Sequence, residues 1–351
     1  MKEAKNMMNA GIGEQSIVVS IIIPTHNRKD KLLSLLDALE DQSCPAERYE
    51  IIIVDDGSVD GTEESIRPRL NSHCNVIYLK QKNQGQSIAR NYGITEARGE
   101  ILGFIDDDCQ PDREWISNAL GYFNDPTVGG LQGMTYCDPR AISPLTMQVR
   151  NLDDGNYETC NIFYRRAILQ EIGPFDPVLR FYREDTDLAW RVLDLGYKIP
   201  FAENVKVEHP PHHYTIWQLL KKRYKFKWSY YDRYFEKKHP RRFRGLKMVG
   251  LFTPSLVAYY PVYFSFIIFL GTLFLPGSCP LAIFTGLVLL ISVYLSVCLI
   301  YINEMARGIR FDWIMKKPEE LLLFIGFWWM IMAEELVYHL IGSIKFKKFS
   351  P

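Results

Sequence analysis

The sequence predicts an α/β fold built on a mostly parallel sheet, followed by a C-terminal helical region that crosses a membrane. Three observations predict it. Short apolar runs alternate with amphipathic stretches from Ser16 to His213. Acidic residues cluster directly after two of those runs. The 56 positions from Met248 to Asn303 contain no charged residue.

The alternation is read element by element. Ile17–Ile23 is a continuous apolar run ending in Pro24, the pattern of a buried strand. Asn27 to Leu39 places Leu32, Leu33, Leu35, Leu36 and Leu39 at helical spacing. A strand over Tyr49–Val54, a helix near Gly61–Leu70 and a strand over Asn75–Leu79 follow. A helix over about Gln86–Ala97 and a strand over Ile101–Ile105 continue the series. Strand–helix alternation implies right-handed crossovers and a parallel sheet, whose ligands bind outside the carboxyl ends of the strands.

Charge divides the 351 residues further. The 41 basic and 41 acidic residues balance overall, but residues 1–213 hold 22 basic against 33 acidic. Residues 214–248 hold 12 against 2, interleaved with Trp217, Tyr224, Phe226, Trp228, Tyr230 and Tyr231. Such a basic aromatic segment suits a membrane interface, and the charge balance gives no reason to expect a nucleic-acid partner. Seven scattered cysteines, with no Cys-x-x-Cys pair, exclude a disulfide scaffold and a zinc site of ordinary spacing. Met1–Gln15 is polar and lacks the apolar core of a signal peptide.

The expected organisation is a tail over 1–15, a catalytic domain over 16–213 and an interfacial segment over 214–248. A transmembrane region over 249–344 and a basic tail over 345–351 complete it. Pro276-Gly277-Ser278-Cys279-Pro280 splits the charge-free stretch into spans near 249–275 and 281–302, each close to the ~20 residues that cross a bilayer. A third apolar segment, 321–344, is interrupted by Glu334-Glu335, which argues against a simple crossing. The expected location is a multi-pass cell-membrane protein with its catalytic domain in the cytoplasm.

Chemistry concentrates at strand ends. Asp55-Asp56-Gly57-Ser58 follows one strand, and turn chemistry alone could account for it. Asp106-Asp107-Asp108 follows another. Three adjacent carboxylates repel one another unless a cation is present, and a divalent metal bound through carboxylate oxygens is the simple solution. A third cluster, Glu184-Asp185-Thr186-Asp187, opens a helical pattern. Capping and an Asp187–Arg191 pair explain part of it, leaving Asp185 available as a general base.

In family order the chain carries IIIPTHNR (21–28), VDDGSVDGT (54–62), NQGQSIARNYGI (83–94) and FIDDDCQP (104–111). CNIFYRR (160–166), IGPFDP (172–177) and REDTDLAWRVLDLGY (183–197) follow. Together these make residues 17–213 resemble a family 2 glycosyltransferase with the nucleotide-diphospho-sugar transferase (GT-A) fold. The resemblance implies that Pro24, Thr25 and Arg28 border the nucleotide pocket, with Asp56 accepting a hydrogen bond from the base and Asp55 beside it. A carboxylate there suits the imide N–H of uracil or thymine. Gly85, Arg90 and Asp107 would also lie on the donor side. Asp106 and Asp108 match the ends of the DXD motif and would hold Mg2+ or Mn2+, with His209 as a further ligand. Asp185 matches the catalytic base, and Asn161 and Glu184 fall on the acceptor side. The implied reaction is transfer of one sugar, with inversion, from a UDP- or dTDP-sugar to a membrane-associated acceptor. A lipid-linked glycan or a polyprenyl phosphate would serve, in cell-surface polysaccharide or glycolipid synthesis. The Gln-x-x-Arg-Trp motif of processive synthases is missing, which favours single transfer. Two rival readings are a sugar nucleotidyltransferase and a non-catalytic membrane scaffold with a degenerate transferase domain. The first would need a glycine-rich phosphate loop where Pro24–Arg28 stands.

Overall fold

The computed structural model describes residues 17–71, 75–138, 146–147, 149–179, 183–215, 218, 221, 228–245 and parts of 265–292. The expected tails 1–15 and 345–351 and the third apolar segment 321–344 lie outside these residues. Two compact units are present: Met1–Asp138 with Gln148–Pro211, and Pro139–Met147 with His212–Pro351.

The first unit is organised around an eight-stranded sheet. β1 (Val19–Thr25), β2 (Tyr49–Asp55), β3 (Asn75–Lys80) and β4 (Ile101–Phe104) form a parallel half in the order β3-β2-β1-β4. Beyond β4 the sheet is mixed. β8 (Ile162–Arg165) runs antiparallel to β4, and β6 (Gly130–Tyr136) antiparallel to β8. β9 (Phe201–Glu208) is parallel to β6, and the two-residue β5 (Gln110–Pro111) closes the edge antiparallel to β9. The parallel half matches its sequence pattern. β1 and β2 lie between two layers and are apolar on both faces, with Ile21, Ile22, Ile23, Ile51, Ile52 and Ile53 fully buried.

α1 (Lys29–Glu40) buries Leu32, Leu35, Leu36 and Leu39, one apolar stripe at helical spacing. It starts two residues later than its pattern suggests, because Asn27 takes a left-handed φ of 52° and ties itself to the next loop. Its N–H donates to Ser58 Oγ at 2.8 Å, and its Oδ1 accepts the Val59 N–H at 2.8 Å. α2 (Thr62–Ile66) stops early and tightens into a 3-10 turn over Arg67–Asn71. Pro68 has no N–H with which to continue the α pattern. α3 (Gln86–Glu96), α4 (Trp115–Tyr122), α5 (Arg166–Ile172) and α6 (Glu184–Asp194) are the further helices among the described residues of this unit. At the start of β2, away from the strands' carboxyl ends, the buried Glu50 accepts hydrogen bonds from Ser20 Oγ and from the Arg98 backbone and guanidinium at 2.6–2.7 Å.

In the second unit β7 (Thr146–Met147) pairs antiparallel with β10 (His212–His213). Helices α7 (Trp228–Lys238) and α8 (Pro240–Gly245) occupy part of the basic aromatic segment. The expectation of a transmembrane region, and with it a multi-pass cell-membrane protein, is corrected here. Among the described residues no helix is long and apolar enough to cross a membrane. Residues 249–302 lie largely outside the described residues.

Two glycines give opposite expectations. A Cβ on Gly133, in β6, would lie 2.4 Å from both Asn161 Oδ1 and the Val205 carbonyl oxygen. A Cβ on Gly121, inside α4, would meet nothing within 4 Å. Gly133→Ala is expected to destabilise the protein by about 1–3 kcal/mol through overpacking. Gly121→Ala is expected to stabilise it by up to about 1 kcal/mol through helix propensity. Urea denaturation of both variants checks the opposed signs.

Candidate active site

The carboxyl ends of β1, β2 and β4 bring the predicted acids to one edge of the sheet, in three hydrogen-bonded groups. The first group follows β2. Asp55 is fully buried; its Oδ1 accepts the Ser58 N–H at 2.7 Å, and its other oxygen accepts the Tyr78 hydroxyl. Asp56 holds the loop 81–85. Its Oδ1 accepts Gln81 Nε2 and the Gln84 N–H, and its Oδ2 the Gly85 N–H, all at 2.8 Å. Gly85, with φ of 97°, sits at the N-terminus of α3 in a conformation that side chains rarely adopt. Three of the roughly four acceptor positions of the Asp56 carboxylate are therefore engaged within the protein.

The second group joins β1 to the turn after β4. Thr25 Oγ1–H donates to Asp107 Oδ2 at 2.8 Å. Arg28 Nη1–H donates to Asp107 Oδ1 at 2.9 Å and to Asp108 Oδ2 at 3.0 Å. Lys31 Nζ–H reaches the same Asp108 oxygen at 3.2 Å. Burial pushes the Asp107 carboxyl up to about 6, against the pull of Arg28. Pro24 lies partly buried at the end of β1, in register with Val54 of β2.

The third group runs toward α6. Arg90 is 1% exposed; its Nη2–H donates to Asp106 Oδ1 at 2.8 Å, and its Nη1 lies 3.6 Å from Glu184 Oε1. Gln86 Nε2–H donates to the same Glu184 oxygen at 2.8 Å. Burial raises the Glu184 carboxyl and the neighbouring Asp185 charge adds to the rise, while Arg90 opposes it. Asp185 Oδ1 accepts the Thr186 N–H at 2.6 Å and the Thr186 hydroxyl at 3.1 Å. Burial also raises its carboxyl. The helix that carries these acids is fixed by Arg191. Its Nε–H donates to Asp187 Oδ2 at 3.0 Å, and its other N–H groups donate to the carbonyls of Ile172, Gly173 and Pro174.

Each of the three consecutive acids thus has a basic partner from the chain itself. Their mutual repulsion, the argument for a metal in the sequence, is relieved by Arg90, Arg28 and Lys31. A metal-ligating set is present nonetheless: single ligand atoms of Asp108, Cys109 and His209 lie within 4.8 Å of one another. His209 Nδ1 is 3.1 Å from the Pro210 carbonyl oxygen, which can only accept. Nδ1–H can therefore donate to it, and Nε2 lies 3.7 Å from Asp108 Oδ1. The Asp108 oxygen and His209 nitrogen suit a divalent ion, while burial pushes the Cys109 thiol up, against service as a thiolate ligand. Asp106, also a predicted ligand, instead faces Arg90.

Asn161 occupies an interior position. Its Oδ1 accepts the Trp115 indole N–H at 2.9 Å, and its Nδ2 donates to the carbonyls of Met134 and Val205 at 2.9 and 3.0 Å. Sequence reasoning missed Lys31, Gln86, Cys109 and Glu158. Burial raises the Glu158 carboxyl to about 8, and the charges of Asp185 and Asp153 contribute. Its Oε2 is buried without a hydrogen-bond partner among the described residues. Only the short spacing from Glu158 to Asn161 and the α-helical spacing of Lys31 after Arg28 hinted at these residues.

Comparison with known proteins places the chain in a family. The family model for glycosyl transferase family 2 matches residues 20–185. Glycosyltransferase AglE of Haloferax volcanii is 33% identical over 220 residues, covering 59% of this chain and 71% of its own length. The pre-mycofactocin glycosyltransferase of Mycobacterium tuberculosis is 26% identical over 208 residues, and the chain spans only 42% of that relative. Among solved structures, the mannosyltransferase PcManGT of Pyrobaculum calidifontis, in complex with GDP-Man and Mn2+, covers 98% of this chain and 93% of its own. With 17% identity and a TM-score of 0.49, that likeness carries no further weight.

The raised Glu158 carboxyl makes a testable pH dependence. Between its ordinary value of 4.5 and about 8, the folded chain binds a proton that the unfolded chain has lost. The associated stability is present below pH 4.5 and is lost as pH rises toward 8, at up to ~1.4 kcal/mol per pH unit. Glu158→Gln removes this titration. Urea denaturation at pH 5 and pH 7.5 is expected to show a smaller fall in stability for the variant than for the parent; equal falls would refute it.

Proposed function

Because this chain belongs to glycosyl transferase family 2, we propose that it moves a single sugar from a nucleotide-diphospho-sugar to a hydroxyl of a glycan acceptor, with inversion at the anomeric carbon. The observation that carries this reading is the chain of contacts from Asp106 through Arg90 to Glu184, with Asp185 next in sequence. It links the turn after β4, where the donor's diphosphate would lie, to the N-terminus of α6. Asp185 Oδ2 has no hydrogen-bond partner among the described residues, and its carboxyl is raised toward the range useful for a general base. In the proposed step Asp185 takes the acceptor hydroxyl proton as that oxygen bonds to the anomeric carbon. The bond from that carbon to the diphosphate oxygen breaks on the opposite face. Glu184 and Arg90 hold the base and Asp106 in place.

The site is read as dependent on Mg2+ or Mn2+, held by Asp108 and His209; the ion's chemistry there would be to neutralise charge on the departing diphosphate. The fourth acceptor position of Asp56 keeps a UDP- or dTDP-sugar as the proposed donor class. The lipid-linked acceptor rested on membrane anchoring and loses that support. An O-antigen chain rhamnosyltransferase of Salmonella typhimurium, 26% identical over 221 residues, favours a saccharide acceptor.

Asp185→Asn keeps the size and capping of the side chain but removes its basicity. Turnover is expected to fall by ~10²–10⁴-fold, with donor affinity retained. Undiminished turnover would move the base elsewhere. The released product distinguishes the reaction class: nucleoside diphosphate is expected, and pyrophosphate would indicate a nucleotidyltransferase.

A further inference from the structure

We propose that Arg28 and Lys31 are internal counter-ions that keep the metal off Asp108 until a nucleotide diphosphate draws them away, so that metal and donor bind as a coupled pair. This rests on the metal-dependent reading of the site. The geometry is specific. Asp108 Oδ2 receives both cations, Arg28 at 3.0 Å and Lys31 at 3.2 Å, while its Oδ1 faces His209. Arg28 also holds Asp107 at 2.9 Å. The acids are fixed and buried, with side chains 4% and 1% exposed. The cations are not: Arg28 is 42% and Lys31 45% exposed, reaching in from the solvent side on the loop before α1 and its first turn.

A divalent cation approaching Asp108 alone meets two positive charges already seated on one of its oxygens. It must displace them into water or bind against their repulsion. A diphosphate changes this balance. Its oxygens offer Arg28 and Lys31 new anionic partners a few ångströms away, suited to the flat guanidinium fork and the ammonium point charge. As the two side chains turn to the phosphates, Asp108 is released to the metal, which the same phosphates also ligate. Each ligand thereby strengthens the other, and the coupling is reciprocal. Lys31 matters most to the argument because its one ion pair among the described residues is with Asp108.

The test measures Mn2+ binding to the full chain by the loss of the free-ion paramagnetic resonance signal, with and without UDP or GDP. The parent is compared with Arg28→Gln, Lys31→Gln and Lys29→Gln. Lys29 carries the same charge two residues from Lys31 but makes no ion pair among the described residues, so it controls for net charge. Without nucleotide, Arg28→Gln and Lys31→Gln are expected to bind Mn2+ about 5-fold tighter or more than the parent. The nucleotide's enhancement should shrink correspondingly, and Lys29→Gln should resemble the parent. Unchanged or weaker Mn2+ binding in Lys31→Gln, or an equal gain in Lys29→Gln, overturns the inference and leaves the metal site standing. A parent that binds no Mn2+ even with nucleotide overturns the metal reading itself, and this inference with it.

Discussion

Three carboxylates in a row at the end of β4 can fold side by side only because the chain brings a cation to each. Two of them are almost wholly buried, where uncompensated charge is most costly. Arg90 comes from α3, Arg28 from the loop after β1, and Lys31 from the first turn of α1. The positions of these elements around the sheet edge follow from that requirement. The late start of α1 keeps Arg28 in the loop, where it spans two acids. The Asp56 carboxylate gathers the loop that launches α3 and so aims Arg90 inward.

The same ion pairs divide the edge into functional sides. Asp107 and Asp108 face β1 and α1, while Asp106 faces α3 and, through Arg90, α6. On the second side the buried Arg90 guanidinium spans Asp106 and Glu184. Glu184 and Asp185 share raised carboxyls because burial raises both, against the pull of Arg90.

The parallel half of the fold was legible because its strands are apolar on both faces and its helices carry single stripes, as in β1, β2 and α1. The antiparallel half was not. β5 and β8 have two and four residues, too short for a period to register. The acids of the site were visible as strand-end clusters, but their partners were not. Lys31 reads as an ordinary surface lysine, and Glu158 as a solvated loop acid. Asn161 reads as an acceptor-side residue, yet it sits among β6, β9 and the Trp115 indole. The spans expected in the charge-free C-terminal stretch rested on its composition, and among the described residues no helix is long and apolar enough to cross a membrane.

Asp56 carries a broader consequence. With both oxygens committed to the backbone of residues 84 and 85 and to the Gln81 side chain, it shapes the rim of the cleft whatever nucleotide enters. An asparagine there would turn an amide N–H toward a backbone N–H and lose the loop, although its shape is the same. One acid at this position therefore does two things at once: three of its acceptor positions build the loop, and the one that remains faces a rim whose shape the same carboxylate has set.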